Sequence, residues 1–130
     1  MISPGPVILD ASALLAWLFR ESKWQTVEER LSDAAMSSVN LAEVLGRLRR
    51  DGRRSDTLLE ALRETPLEVV PFGADDAEIV GSLQPYTRAL GLSLADRACL
   101  ALALKRGAPA MTTDRAWRRL GPAFPVIVIR

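Results

Sequence analysis

The sequence contains no histidine. That absence removes imidazole general bases, Ser-His-Asp and Cys-His nucleophilic systems, and histidine-ligated zinc. A single cysteine, Cys99, excludes an intramolecular disulfide and any cysteine-rich zinc centre. It lies in the apolar run Ala98-Cys99-Leu100-Ala101-Leu102, where a thiol reads as a small buried hydrophobe rather than a nucleophile. Long hydrophobic runs are missing too. The longest, residues 7–19, is broken by Asp10 and is too short to cross a bilayer. Met1-Ile2-Ser3-Pro4-Gly5-Pro6 lacks the basic stretch that opens a secretory signal, so the expected location is the cytoplasm. Net charge is only +1, which supplies no global field for a polyanion. Chemistry near neutral pH is left to carboxylates, hydroxyls, arginines or a metal.

A chain of 130 residues, 48% hydrophobic and 25% charged, fits one domain with one core, spanning residues 1–130. Its basic residues are unevenly chosen and placed. Fifteen of the 17 are arginine, and five of these crowd into Arg47-Leu48-Arg49-Arg50-Asp51-Gly52-Arg53-Arg54. Arg115, Arg118 and Arg119 follow Asp114 closely. Arginine forks match phosphate oxygens, although a solvated helix face explains such clusters equally well.

Short apolar runs at residues 7–9, 34–37, 67–71, 109–112 and 126–129 read as strands. Between them, helical patterns occupy residues 12–20, 23–33, 37–51, 55–65, 75–90 and 93–106, with a short helix at 114–120. Alternation of this kind predicts an α/β fold whose parallel sheet is covered on both faces. In such folds ligands bind beyond the carboxyl ends of the strands.

Four acids fall toward that edge. Asp10 follows the first strand, Glu43 lies two turns into the helix after the second, and Asp114 follows the fourth strand. Asp96 sits in the first turn of the helix opened by Ser93. Each has an ordinary alternative. Asp10 and Asp114 could be helix caps, Ser93 and Asp96 fit a capping box, and Glu43 could pair with Arg47 four residues on. The helix from Leu94 to Leu104 is apolar nearly all round, however, which predicts burial and a low-dielectric setting for Asp96. If the four converge, each close pair repels by roughly 4 kcal/mol at an effective dielectric near 20. Protonation or a hard divalent cation, Mg²⁺ or Mn²⁺, is then required. Carboxylate-held ions of this kind activate water against phosphodiesters, with Ser12, Thr112 and Thr113 at hand to orient water or phosphate. The arginine clusters are candidates to hold an extended phosphate backbone.

Four segments carry a further signal. They are Val7-Ile8-Leu9-Asp10-Ala11-Ser12-Ala13-Leu14-Leu15-Ala16, Ser37-Ser38-Val39-Asn40-Leu41-Ala42-Glu43-Val44, Leu92-Ser93-Leu94-Ala95-Asp96-Arg97-Ala98-Cys99-Leu100-Ala101-Leu102-Ala103 and Met111-Thr112-Thr113-Asp114-Arg115-Ala116-Trp117. In order and spacing they resemble the signature blocks of PIN-domain nucleases, and among these the VapC toxins of bacterial toxin–antitoxin pairs. The resemblance implies a three-layer α/β/α sandwich around a mainly parallel five-stranded sheet. It also implies a Mg²⁺- or Mn²⁺-dependent endoribonuclease that acts on RNA, forms a homodimer and is silenced by a VapB-type antitoxin. The family's metal-binding acids map onto Asp10, Glu43, Asp96 and Asp114, with Asp10 and Asp96 as principal ligands. Ser12 and Asn40 map as supporting residues; the neighbouring hydroxyls of Thr112 and Thr113 are further supporting candidates, and Arg97, Arg115 and Arg118 are candidate substrate contacts.

Two other classes compete. A non-catalytic partner-binding domain would use the acids only as caps and ion pairs. A phosphoacceptor receiver domain wants an Asp after the third strand, where this chain has Val70-Pro71-Phe72, and a late lysine, for which Lys105 is the sole candidate. The receiver reading is set aside.

Overall fold

The computed structural model describes residues 5–130, so most of the amino-terminal segment judged free of a secretory signal lies outside the described residues. Five short strands form one sheet: β1 (Val7–Leu9), β2 (Ala34–Ser37), β3 (Glu68–Val70), β4 (Ala110–Thr112) and β5 (Val126–Val128). Their order is β3-β2-β1-β4-β5, and every pairing is parallel. The helices are α1 (Ala11–Leu18), α2 (Trp24–Arg30), α3 (Ser38–Arg50), α4 (Ser55–Arg63), α5 (Ala74–Ser82), α6 (Gln84–Thr87) and α7 (Leu94–Arg106).

Strand periodicity assigns the two faces. Val7, Leu9, Met36 and Met111 point to one side and pack with Leu14 and Leu15 of α1, Val27 of α2, Val44 and Leu48 of α3 and Leu58 and Leu62 of α4. Ile8, Ala35 and Ala110 point to the other, against Cys99, Leu100, Leu102 and Ala103 of α7, with Trp117 and Phe124. The result is the expected three-layer α/β/α sandwich with a five-stranded sheet, here parallel throughout. Both faces of the central strands are dry, so β1 and β4 are apolar at every position up to the polar residues that end them.

The chain leaves β1 toward β2 and β3 on one side and returns to β4 and β5 on the other. The junction of β1 and β4 is therefore the point where the winding reverses, and a crevice opens there at the carboxyl edge. That topology brings the residue after β1 beside the residues after β4, a hundred positions later.

Local chemistry moved two expected boundaries. The helix expected over residues 75–90 is three pieces: α5, α6 and a 3₁₀ turn at Arg88–Leu90. Pro85 lies in the first turn of α6. It has no N–H to donate and its ring crowds the preceding turn, so a continuous helix cannot pass through it. Residues 115–120 form a 3₁₀ turn rather than an α-helix, capped by Asp114 and anchored by Trp117, which is 1% exposed. No helix among the described residues is long and apolar enough to cross a membrane.

Leu14 is wholly buried beneath the first-face core. Leu14→Ala is expected to cost about 2–5 kcal/mol through lost transfer energy and a residual cavity, measured as a lower urea midpoint with an unchanged slope.

Candidate active site

Asp10 is the first residue past β1, and it is 5% exposed. Its backbone N–H still donates to the Met111 carbonyl at 3.1 Å, which ties it to the neighbouring strand. Its side chain caps α1: Oδ1 accepts from the Ala13 N–H at 2.8 Å and from the Ser12 hydroxyl at 2.7 Å. The other oxygen, Oδ2, accepts from the Thr112 hydroxyl at 2.6 Å. Thr112 ends β4 and is fully buried, and its Oγ1 in turn accepts from the Asp114 N–H at 3.1 Å. Ser12 Oγ accepts from the Thr113 N–H at 2.9 Å. Ser12, Thr112 and Thr113 thus fasten the end of β4 onto Asp10.

These bonds favour the charged carboxylate, but burial outweighs them. Desolvation, with a smaller contribution from the negative charge of Asp96, raises the Asp10 pKa from 3.8 to about 6.

Asp96 occupies the first turn of α7. Its Oδ2 accepts from the Ser93 N–H at 2.9 Å while Ser93 Oγ accepts from the Asp96 N–H at 3.1 Å, a complete capping box. The expectation of deep burial for Asp96 is corrected: the residue is half-buried. Helix α7 buries residues 98–103, but its ends stand clear of the sheet, leaving Leu94 60% and Leu104 44% exposed. An apolar composition therefore overstated the burial of the first turn.

Glu43 projects from α3. It is exposed as a residue, yet surrounding protein partly desolvates its carboxyl, and that together with the Asp96 charge raises its pKa. The nearby Asn40 amide and the Arg47 charge oppose the rise. The alternative reading of Glu43 as an ion-pair partner of Arg47 is not met within 4.0 Å; Arg47 leans instead toward Asp51, at 3.9 Å. Asn40 is fully buried and donates through Nδ2 to the Ala95 carbonyl at 3.0 Å, which joins α3 to α7 one residue before Asp96. Its Oδ1 has no partner. Asp114 is exposed and caps the 3₁₀ turn through the Ala116 N–H at 2.9 Å.

Asp10, Glu43, Asp96 and Asp114 line one cleft of about 480 Å³. Four distant segments are thereby brought together at the winding reversal. Ser12 lines the same cleft, as do Arg47 and Arg50 from the first arginine cluster, together with Gly46 and Trp117, which sequence reasoning had not singled out as site residues. The three candidate substrate arginines are elsewhere. Arg97 turns toward α5 and donates to the Val80 carbonyl at 3.3 Å, and Arg115 and Arg118 are exposed residues that do not line the cleft.

Among the described residues, the ion pairs within 4.0 Å all involve other acids, so no lysine or arginine is in direct contact with the four. Among the same residues, no three acids already stand close enough to hold one ion. The donor set nonetheless suits a hard divalent cation: oxygens only, unpaired with cations, and electrostatically unfavourable toward one another. Closing on an ion needs side-chain rotation by at least one of them. Glu43 and Asp114, the two exposed members, are the freest to move.

The raised Asp10 pKa has a signed consequence for the metal-free protein. Folding favours the protonated form, so its contribution to stability is complete below pH 4 and is lost as pH rises to 6 and beyond. The loss is about 3 kcal/mol, and Asp10→Asn is expected to flatten this part of the stability profile. Thr112→Val removes a buried donor at constant shape. It is expected to cost about 1–3 kcal/mol and to move the Asp10 titration still higher, read by NMR of the carboxyl carbon.

The sequence matches the PIN domain over residues 7–122. No curated protein matches it significantly. Among solved structures, VapBC2 from Rickettsia felis, bound to a promoter DNA fragment, superposes with a TM-score of 0.74 at 19% identity, covering 95% of this chain and 98% of that one. VapC20 of Mycobacterium tuberculosis, a sarcin–ricin-loop-cleaving toxin, gives 0.72 at 19% identity over 88% and 95% of the two chains. FitAcB from Neisseria gonorrhoeae gives 0.68 at 19% over 93% and 96%. With the fold, the four blocks and the family match in agreement over nearly the whole chain, this protein belongs to the PIN-domain family.

Proposed function

We propose that this single domain is the toxin of a VapBC-type toxin–antitoxin pair and a metal-dependent endoribonuclease. The observation that carries the reading is the convergence of Asp10, Glu43, Asp96 and Asp114 on one cleft, none of the four in ion-pair contact with a lysine or arginine among the described residues. Asp10 and Asp96 are the principal ligands of Mg²⁺ or Mn²⁺, and Glu43 and Asp114 complete the set. Bound there, such an ion supplies charge neutralisation, Lewis-acid polarisation of a phosphodiester and a water acidic enough to attack near neutral pH.

The chain's own residues do the rest. Ser12, Thr112 and the Ala13 N–H hold both Asp10 oxygens in place. Those three donors stabilise the carboxylate form of Asp10, the form that would hold a cation. Asn40 fixes the start of α7 and supports the Glu43 carboxylate, keeping the two acid-bearing helices in register. Ser12, bonded to Asp10 and lining the cleft, is placed to orient the substrate phosphate, with the Thr113 N–H fixing its hydroxyl.

A VapB-type antitoxin is supported by the VapBC complexes among the similar structures, and RNA as substrate by the likeness to the sarcin–ricin-loop-cleaving VapC20; a homodimer belongs to the same reading. A cytoplasmic setting belongs to the same reading.

One set of observations favours the second reading, a non-catalytic binding domain. Asp10, Asp96 and Asp114 each serve as a cap. Capping alone, however, explains neither the burial of Asp10 nor the placement of Glu43.

The two readings part in a single experiment. RNA is incubated with wild type and with Asp10→Asn, in Mn²⁺ and in EDTA, and the cleavage ends are mapped. Cleavage is expected only from wild type with metal. Mn²⁺ at 100 times its dissociation constant should add about 2.7 kcal/mol to wild-type stability at pH 7 and far less to Asp10→Asn. Full cleavage by Asp10→Asn, or by wild type in EDTA, would overturn the metal assignment.

A further inference from the structure

One wall of the cleft is a face of α3, and its composition is unlike that of the rest of the lining. Glu43, Gly46, Arg47 and Arg50 all line the cleft. At 3.6 residues per turn they fall within an arc of about 100° on the helix. Arg47 lies about 6 Å along the axis from Glu43, and Arg50 about 10 Å. The face therefore runs outward from the acids as one carboxylate, then a bare position, then two guanidinium groups.

The bare position is unusual on physical grounds. Glycine inside a helix lowers stability relative to alanine, and Gly46 lies in the interior of α3 with ordinary helical backbone. No steric demand requires it, because a Cβ at Gly46 would meet nothing within 4 Å. The space beside it is the cleft itself.

The two arginines that line the cleft are also loosely held, unlike several others. Arg54 is locked onto Asp56 by two bonds of 2.6 and 3.1 Å, Arg53 stacks on Phe19, Arg106 grips Glu68, and Arg97 is spent on the Val80 carbonyl. Arg47 and Arg50 touch only Asp51, through Nε, at 3.9 and 3.7 Å. Both arginines are more than half exposed, and contacts so long and wet hold a side chain weakly. Their guanidinium groups can reach a ligand in the cleft with little lost. A cleft lined by four acids repels a phosphate backbone, and a positive rail on its rim offsets that repulsion where a strand enters.

We propose that Gly46, Arg47 and Arg50 form a substrate rail: the two arginines grip successive backbone phosphates of a single strand, and Gly46 leaves the gap through which the strand reaches the acids. This assignment rests on the ribonuclease reading. In a stacked strand phosphates recur about every 3.4 Å, so the stretch from Glu43 to Arg50 spans about three of them. A dinucleotide is too short to engage both arginines and the acids together.

The test has a binding arm and a cleavage arm. Binding of a labelled single-stranded oligoribonucleotide is followed by fluorescence anisotropy in the uncleaving Asp10→Asn protein, across a salt series. Arg47→Ala and Arg50→Ala are each expected to weaken binding and to reduce the slope of log affinity against log salt by about 0.7, the value for one phosphate contact on a single strand. Arg63→Ala, at the far end of α4, controls for the loss of one charge. In cleavage by otherwise wild-type protein, the loss falls on KM rather than kcat and is larger for the oligonucleotide than for a dinucleotide. Gly46→Leu is expected to keep or raise the melting temperature while abolishing oligonucleotide binding. Arginine variants that bind with the Arg63→Ala affinity and salt slope, or a Gly46→Leu protein that binds normally, would overturn the rail. If wild type fails to cleave while the arginine variants still lose binding, the ribonuclease reading fails and the rail stands as a binding feature.

Discussion

Everything in this molecule that bears on chemistry depends on one carboxylate placed where water cannot easily reach it. Asp10 stands at the end of the central strand, and three hydrogen bonds hold its oxygens. The bonds lower its pKa and burial raises it, and burial prevails. A group in that position is poised between accepting a proton and accepting a cation. The same carboxylate organises its surroundings: it caps α1, holds Thr112, and through Ser12 and Thr112 fixes the chain that leads to Asp114. Removing the charge would ease an electrostatic burden on the fold, a common relation between stability and function at active sites.

Parallel topology explains why acids so far apart in sequence meet. In the order β3-β2-β1-β4-β5 the first and fourth strands are neighbours, so their carboxyl ends adjoin. Helix α3 starts directly from β2, and its fully buried Asn40 crosses to the first turn of α7. That bond sets the separation of the Glu43 and Asp96 helices independently of the strands.

Much of this was legible in the residues. Strand and helix periodicities gave the layer order, and each acid could be placed by asking which strand or helix end it followed. The failures have definite physical origins. Pro85 interrupts an otherwise helical pattern, and reading apolar spacing alone passes over a missing N–H. Asp96 was expected to be buried because α7 is apolar, but composition says nothing about how far a helix overhangs its sheet. Arg97 follows Asp96 in sequence, but consecutive helical residues point about 100° apart, and the arginine faces α5 instead of the cleft. Arg47 and Arg50 share a helical face with Glu43 at spacings of four and seven. That signal was present in the sequence; which face of α3 met the cleft was a tertiary fact.

The double employment of the acids bears on how such a chain can change over generations. Asp96 and Asp114 each terminate a helical segment by taking up a backbone N–H that would otherwise go unpaired. Replacing such a cap by a residue without an acceptor typically costs about 1 kcal/mol. Mutations that silence the cleft by deleting these side chains therefore also erode the folded population, and cellular proteases clear partly unfolded chains. Inactive descendants that persist would be biased toward isosteric amides at these positions, or toward lesions elsewhere that leave the caps intact.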